Sequence, residues 1–452
     1  MQKILIAPWG KFDSWSDVIY SFDGVEKESI SSISAIYDKI KPDKVFILVL
    51  DTLSHLESEN YGDIIKEVKE KTENFIKENL EIDNYEVIVC PGVGTFFDKN
   101  TKKTYKFLGN LIDYYSFVLY KLAKKLNGDL EVHLDLTHGV NYMPVLTYKA
   151  VRELLEILAI KYRAKLVVYN SDPYGNIKTT LNINIVENSH IPARPSLDKI
   201  TPKFLGINAF VDKNERGKLG KEINQNNKII ELKNMKQNIN VFLASFVYAL
   251  PLIYSTFSVK KEVIEDKVNE IMNIFMSNIV IDSKNRELKR LVKFENGFNA
   301  LVKAYFTSKI SENREFIKDE LSLKEIEDMS EILFKLNSLF IKNEVNSICK
   351  SIKNYVRKKE KLREWIPLYE LFENDELSEF KIRNFLAHGG LERNIVEIYI
   401  DIEDDKIEEI KNNNNKNKEV NKYIKEKTLL RYNKSYTNEI ELLKQIEKEF
   451  CK

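Results

Sequence analysis

Cysteine is scarce. The 452-residue chain has three, Cys90, Cys349 and Cys451, far apart in sequence. Their spacing excludes a disulfide framework and a zinc site built from paired ligands, and it fits a reducing cytoplasm. Net charge is almost absent too: 70 basic residues face 69 acidic ones, for a formal charge of +1. No global field draws in nucleic acid, so any RNA site must rest on local charge. The first residues pass at once into Ile4-Leu5-Ile6-Ala7-Pro8, without the basic and apolar organisation of a secretory signal. Neither GxGxxG nor a Walker lysine-serine pair occurs, which argues against an ordinary dinucleotide or nucleoside triphosphatase site.

Long apolar runs are also rare. Residues 237–259 carry no charge and are long enough in principle to cross a bilayer. Asn238, Asn240, Ser245, Ser255 and Thr256 dilute that stretch, Pro251 interrupts it, and no second span accompanies it. A buried helix in a domain core or at a dimer interface is expected there, not a membrane span.

A chain of this length exceeds one ordinary core, so two or three domains are expected. In the first part, apolar runs at residues 3–8, 44–50, 85–90, 130–136 and 165–169 alternate with helical patterns at 29–40, 61–79, 104–126 and 144–160. That alternation predicts a Rossmann-like α/β domain with a mainly parallel sheet over residues 1–187. Ile191-Pro192-Ala193-Arg194-Pro195 and Thr201-Pro202 mark a linker, and a short connecting region is expected over 188–240. The remainder, 241–452, reads as all-α, with a helical insertion around 288–342. Residues 411–419 (KNNNNKNKE) read as a solvated low-complexity loop, and the basic residues of 357–363 as a candidate RNA-backbone contact or a solvated helix face.

In such sheets ligands sit beyond the carboxyl ends of the strands. The residues there are Trp9-Gly10-Lys11, Asp51-Thr52, Pro91-Gly92-Val93-Gly94-Thr95 and Thr137-His138-Gly139-Val140-Asn141-Tyr142. Glycines admit a ligand to the backbone, turn amides that open a helix favour phosphate oxygens, and Thr137 and Asn141 suit base edges or ribose hydroxyls. Each turn taken alone reads better as a tight strand-to-helix connection, and it is the four together that point to a ligand.

Near the far end, Arg383-Asn384-Phe385-Leu386-Ala387-His388 is followed by Gly389-Gly390. Residues 375–386 read as a helix with apolar Leu377, Phe380, Ile382, Phe385 and Leu386, stopped by Gly389 as a left-handed cap. RNA cleavage by the 2′-hydroxyl needs a proton acceptor, a donor for the leaving 5′-oxygen and positive charge at the phosphorane. An imidazole and a guanidinium supply these without a metal. On one ideal helix, five positions put Arg383 and His388 about 140° apart, so two copies meeting at a dimer seam would help them converge. On spacing alone, a surface ion pair for Arg383 and a helix-end position for His388 are the better account.

R-N-F-L-A-H resembles the R-x4-H signature of HEPN ribonucleases, including the Asn that often follows the Arg. D-L-T-H-G-V-N-Y-M-P after a strand resembles the ligand motif of CARF domains in the Csx-type proteins of type III CRISPR antiviral defence, and I-L-I-A-P-W-G at the start is similar. The order CARF then HEPN covers most of the chain. This resemblance implies a cytoplasmic homodimer, or an assembly of dimers, that binds a cyclic oligoadenylate across its two-fold axis, with the tetra-adenylate the leading expectation. Binding would activate a composite HEPN site that cuts single-stranded RNA without a metal, leaving 2′,3′-cyclic phosphate ends. A two-fold ring presents equivalent phosphates to both protomers.

Carried over residue by residue, Thr137, His138, Gly139 and Asn141 match the ligand loop, and Trp9 and Gly10 match the first-strand loop. Thr52, Gly92 and Gly94 join them by position. Arg383 would hold the scissile phosphate, His388 would transfer protons and Asn384 would orient one of them. Two other functions fit the same residues: a CARF-type transcriptional regulator with a vestigial Arg-His motif, and a free-standing HEPN toxin that cuts tRNA.

Overall fold

The structure, a computed structural model, describes residues 1–99, 101–175, 180–201, 206–358, 362–372, 379–412 and 418–452. The chain divides into two compact units, one formed by Met1–Lys233 with Glu265–Phe306, the other by Asn234–Ile264 with Thr307–Lys452.

In the first unit the chain runs β1 (Gln2–Pro8), β2 (Val18–Phe22), β3 (Val25–Ser29), α1 (Ile33–Ile40), β4 (Lys44–Leu50), α2 (Tyr61–Asn79), β5 (Tyr85–Cys90), β6 (Gly94–Asp98), β7 (Lys103–Leu108), α3 (Asp113–Lys125), β8 (Leu130–Asp135), α4 (Tyr142–Leu158), β9 (Ala164–Ser171) and β10 (Thr180–His190). The main sheet has the order β3-β2-β10-β9-β8-β1-β4-β5. From β5 to β9 every pairing is parallel. These strands read as nearly unbroken apolar runs because helices cover both faces, and Leu5, Ile6, Ile47, Leu48, Val132 and Leu134 are all buried. Asn60 caps α2 by accepting from the Gly62 amide at 2.7 Å.

Two local expectations change. Residues 104–126 are not one helix: β7 precedes α3, and its buried Tyr105 and Phe107 alternate with exposed neighbours, the period-two pattern of a strand. It forms a hairpin with β6. Residues 29–40 start as the end of β3, which pairs with β2. β10 also extends the sheet, antiparallel to β9.

The chain continues with β11 (Ile207–Ala209), α5 (Lys213–Gln225), α6 (Asn227–Val247), α7 (Pro251–Phe257), α8 (Lys261–Ser277), β12 (Ile279–Asp282), β13 (Glu287–Arg290), β14 (Val292–Phe294) and α9 (Asn296–Ser311). β13 pairs with β7, so β12 and β13 enlarge the β6–β7 hairpin into a four-stranded sheet. The segment 288–342, expected to be helical, therefore opens on strands. The uncharged residues 237–259 are two buried helical stretches, broken where Ala249 takes φ +53°. Among the described residues no helix is long and apolar enough to cross a membrane.

The second unit holds β15 (Leu321–Ser322), α10 (Leu323–Leu333), α11 (Ser338–Lys358), β16 (Trp365–Pro367), α12 (Ile382–Ala387), β17 (Val396–Ile400), α13 (Asp404–Asn412), α14 (Lys418–Glu426), β18 (Thr428–Tyr432), α15 (Lys434–Glu439) and α16 (Leu442–Phe450). It is mainly helical, as expected, but carries a small antiparallel sheet in the order β15-β18-β17-β16. Ser322 and Glu325 form a capping box at the start of α10. The low-complexity residues 413–417, and Lys359 and Lys361 of the basic stretch, lie outside the described residues.

Candidate functional site

The rim beyond the first unit's strands is built by loops packed backbone to backbone. The Gly10 amide donates to the His138 carbonyl at 2.8 Å. A Cβ at Gly10 would meet Val140 Cγ2 at 2.3 Å, and one at Gly139 would meet Pro144 Cγ at 2.6 Å. A side chain at either position forces its neighbour to shift. Asn141, exposed and directly before α4, sits at φ +35° and ψ −88°, a conformation L side chains rarely adopt, and its side chain caps nothing.

Behind this surface Asp135 is buried and acts as the acceptor that fixes the loop. It accepts from the Thr137 amide at 3.1 Å, the Thr137 hydroxyl at 2.6 Å and the Ser32 hydroxyl at 2.6 Å. The Thr137 oxygen in turn accepts from the Ser171 amide at 3.2 Å. His138 stacks on Trp15 with ring centroids 4.0 Å apart, and its Nε2 lies 3.3 Å from both the Ser32 amide and the Tyr20 hydroxyl. Accepting from an amide places the ring proton on Nδ1. Burial lowers its pKa to about 4 against the pull of Asp135, so the ring is neutral at pH 7.

Trp9, Gly10, Thr52, Val93, Val140 and Tyr142 line a cavity of about 100 Å³, together with His55 and residues of the β6–β7 hairpin. Trp9, Gly10 and Thr52 thus meet in one place. Val93 brings the chain between Gly92 and Gly94 to the same cavity, whereas Thr137, His138, Gly139 and Asn141 do not line it. Trp9 is fully buried in an aromatic cluster with Phe12, Trp15 and Phe75, and among the described residues its indole nitrogen has no hydrogen-bond partner. At the mouth Lys71 pairs with Asp13 at 3.1 Å, and the His55 ring nitrogen lies 3.4 Å from the Asp98 carboxylate.

Beneath Thr52 and Gly92 lies a group that sequence reasoning missed. Asp51 is fully buried, receives the Gly92 amide at 2.8 Å and the Tyr61 hydroxyl at 2.9 Å, and pairs with the buried Arg290 of β13. Arg290 also donates to the Gly92 carbonyl at 2.7 Å. Nearby Asp113, buried and accepting from the Phe294 amide, has its pKa raised by burial to about 7. Asp51 at a strand end was visible in the sequence. Arg290, 239 positions away, carried no local signal.

In the second unit, the helix expected over 375–386 starts only at Ile382, because Lys381 is extended at φ −128° and ψ 118°; residues 373–378 lie outside the described ones. Its end matches expectation. Gly389 and Gly390 take φ +60° and +79°, and their amides return to the Leu386 and Phe385 carbonyls at 3.2 and 2.9 Å, the Schellman pattern. Phe385 is fully buried, and the Tyr432 hydroxyl donates to the Gly390 carbonyl at 3.1 Å, so the turn is anchored on both sides.

Arg383, Asn384 and His388 are all exposed on this anchored turn. Arg383 has no side-chain partner among the described residues, which leaves its guanidinium open to an anion. His388, at the C-cap, presents Nδ1 to Glu344 of α11 at 3.1 Å. Glu392 is buried close by and binds Asn394; burial raises its pKa, with His388 opposing. Among the described residues no cluster of three or more His, Cys, Asp or Glu is placed to hold a metal ion.

Residues 4–173 match the family model described as CRISPR system endoribonuclease Csx1, CARF domain, and residues 334–409 match that described as CRISPR system endoribonuclease Csx1, HEPN domain. A protein of Methanocaldococcus jannaschii described as CRISPR system endoribonuclease Csx1 is 61% identical over 446 residues, covering 97% of this chain and 93% of its own length. The chain belongs to the Csx1 family of CRISPR system endoribonucleases. As a Csx1-family protein it is an endoribonuclease with a CARF and a HEPN domain, which decides between the enzyme and the transcriptional regulator. The Csx1 CARF match contains Trp9, Gly10, Thr52, Gly92, Gly94, Thr137, His138, Gly139 and Asn141, but not Arg290. The Csx1 HEPN match contains Glu344, Arg383, Asn384 and His388.

Proposed function

We propose that this endoribonuclease is switched on by a cyclic oligoadenylate, the tetra-adenylate first, bound at the CARF rim of a homodimer, and that it then cuts single-stranded RNA at the HEPN turn without a metal. The observation that carries the reading is the contrast between the two sites. The rim offers close-packed glycines, backbone amides at the start of α4 and a neutral, fixed imidazole at His138, which suits recognition. The HEPN turn offers an exposed arginine with no side-chain partner among the described residues and an exposed histidine whose Nδ1 is engaged, which suits chemistry.

In this reading Trp9, Gly10, Thr52, Gly92, Gly94, Thr137, His138, Gly139 and Asn141 form the ligand surface, either by contact or by setting loop geometry. Arg383 stabilises the charge on the phosphorane. His388 takes the 2′-hydroxyl proton at Nε2, and the leaving 5′-oxygen receives its proton from the equivalent histidine or from water. Asn384 orients the phosphate. The products carry 2′,3′-cyclic phosphate and 5′-hydroxyl ends.

The test is cleavage of end-labelled single-stranded RNA in EDTA, with and without cyclic tetra-adenylate, followed by analysis of the ends. Ligand-dependent cutting with cyclic phosphate ends is expected. Products with 3′-hydroxyl ends, or loss of cutting in EDTA, would refute the chemistry. Full activity without ligand would refute the switch and favour a constitutive toxin.

A further inference from the structure

We infer that Glu344 is the positioning residue of the ribonuclease site, holding His388 in the one neutral tautomer that can act as a base toward RNA. This rests on the proposed role of His388. Glu344 lies on α11, far from the turn in sequence, and its side chain is 26% exposed while that of His388 is 48% exposed. Its Oε2 stands 3.1 Å from His388 Nδ1.

An ionised carboxylate only accepts hydrogen bonds, so the ring nitrogen facing it must carry the proton. The neutral imidazole then keeps its lone pair on Nε2, the nitrogen left for substrate. In free histidine the proton prefers neither site strongly enough to hold one tautomer, and the ring turns freely about its side-chain bonds. At this turn both freedoms are removed by a group that never meets the RNA. The backbone supports the same geometry: the Leu391 amide donates to the His388 carbonyl at 3.0 Å, and the Schellman glycines fix the residue that follows. Among the described residues one other charged group bears on the ring, Glu392 from the following turn. Glu392 is occupied by Asn394, so among the described residues Glu344 is the group that bonds the ring.

The experiment compares Glu344→Ala, Glu344→Gln, His388→Ala and the Glu344→Ala/His388→Ala double variant in the full-length protein with cyclic tetra-adenylate. Turnover and KM are measured, and the protein is selectively ¹⁵N-labelled at its five histidines, with the His388 signal identified by its loss in His388→Ala. Carboxylates that orient a metal-bound imidazole change activity by about 10- to 100-fold. Turnover in Glu344→Ala is expected to fall toward the upper end of that range and in Glu344→Gln toward the lower end, with KM and ligand affinity unchanged. The double variant should be no slower than His388→Ala, and the His388 nitrogen shifts should move from the Nδ1–H form toward a tautomer mixture.

Wild-type turnover in Glu344→Gln or Glu344→Ala, with His388→Ala inactive, would overturn the positioning role and leave the role of His388 standing. Wild-type cutting by His388→Ala would overturn both. If Glu344→Ala fails to fold, the near-isosteric Glu344→Gln carries the decision alone.

Discussion

Arg290→Met should destabilise the first unit by about 3–5 kcal/mol, the cost of removing one partner of a buried pair and stranding the other charge. Arg290 and Asp51 have side chains 1% and 0% exposed, so water cannot replace the lost cation. Asp51 keeps the Gly92 amide and the Tyr61 hydroxyl as donors, which places the expected loss near the lower bound. The Gly92 carbonyl also loses its partner, worth about 1 kcal/mol. The decisive measurement is a double-mutant cycle with Asp51→Asn. If the pair is one electrostatic unit, removing both charges restores part of the loss, and the two substitutions couple by about 2 kcal/mol or more. Urea unfolding followed by tryptophan fluorescence reads this in a Trp365→Phe background, because the remaining tryptophans, Trp9 and Trp15, both lie in the first unit. Additivity within about 0.5 kcal/mol would refute the reading of Arg290 and Asp51 as one electrostatic unit.

Gly10→Ala should weaken cyclic tetra-adenylate binding about tenfold or more, equivalent to about 1.4 kcal/mol, since the new Cβ meets Val140 and the His138 carbonyl and must part the two loops; equilibrium binding checks it. His138, with a folded pKa of about 4 against an ordinary 6.5, takes up its proton more readily when unfolded. Its contribution to first-unit stability should therefore be full above pH 6.5 and decline by about 1–3 kcal/mol as pH falls toward 4, and His138→Gln should reduce the slope in unfolding titrations to the part carried by His133, which burial also lowers to about 4. Arg383→Ala should lower RNA cleavage by about a hundredfold or more, as for loss of a donor to a developing oxyanion, with ligand affinity intact. Arg383→Lys should not restore it, because an ammonium lacks the two-pronged fit to phosphate.

The parallel core was legible because each central strand is a short apolar run between helical patterns, and residues 44–50 and 85–90 coincide with β4 and β5. β7 was misread because Tyr105 and Phe107 were joined to the apolar residues of α3 as one helical pattern, across the Gly109-Asn110 turn signal that parts them. In the small sheet of the second unit β15 and β16 are two and three residues long, too short for periodicity to show, whereas the alternation of the five-residue β17 and β18 was present in the sequence and was passed over among the surrounding helical patterns. In the site, Gly389 could be read as a helix stop because its conformation is a local property of the chain. Asp135, Arg290 and Glu344 were not singled out because their roles rest on contacts: Asp135 with Ser32, Arg290 with Asp51, Glu344 with His388. One sequence records no such pairing.

The central claim, that ligand held at the CARF rim switches on chemistry at the HEPN turn, is tested most directly by measuring cyclic tetra-adenylate affinity and RNA cleavage rate on the same samples of wild type, Gly139→Val and His388→Ala. The expected result is that His388→Ala binds ligand as wild type does and cuts nothing, while Gly139→Val, whose side chain collides with Pro144, neither binds nor cuts. Ligand-stimulated cutting by Gly139→Val without measurable binding, or by His388→Ala at the wild-type rate, would contradict it.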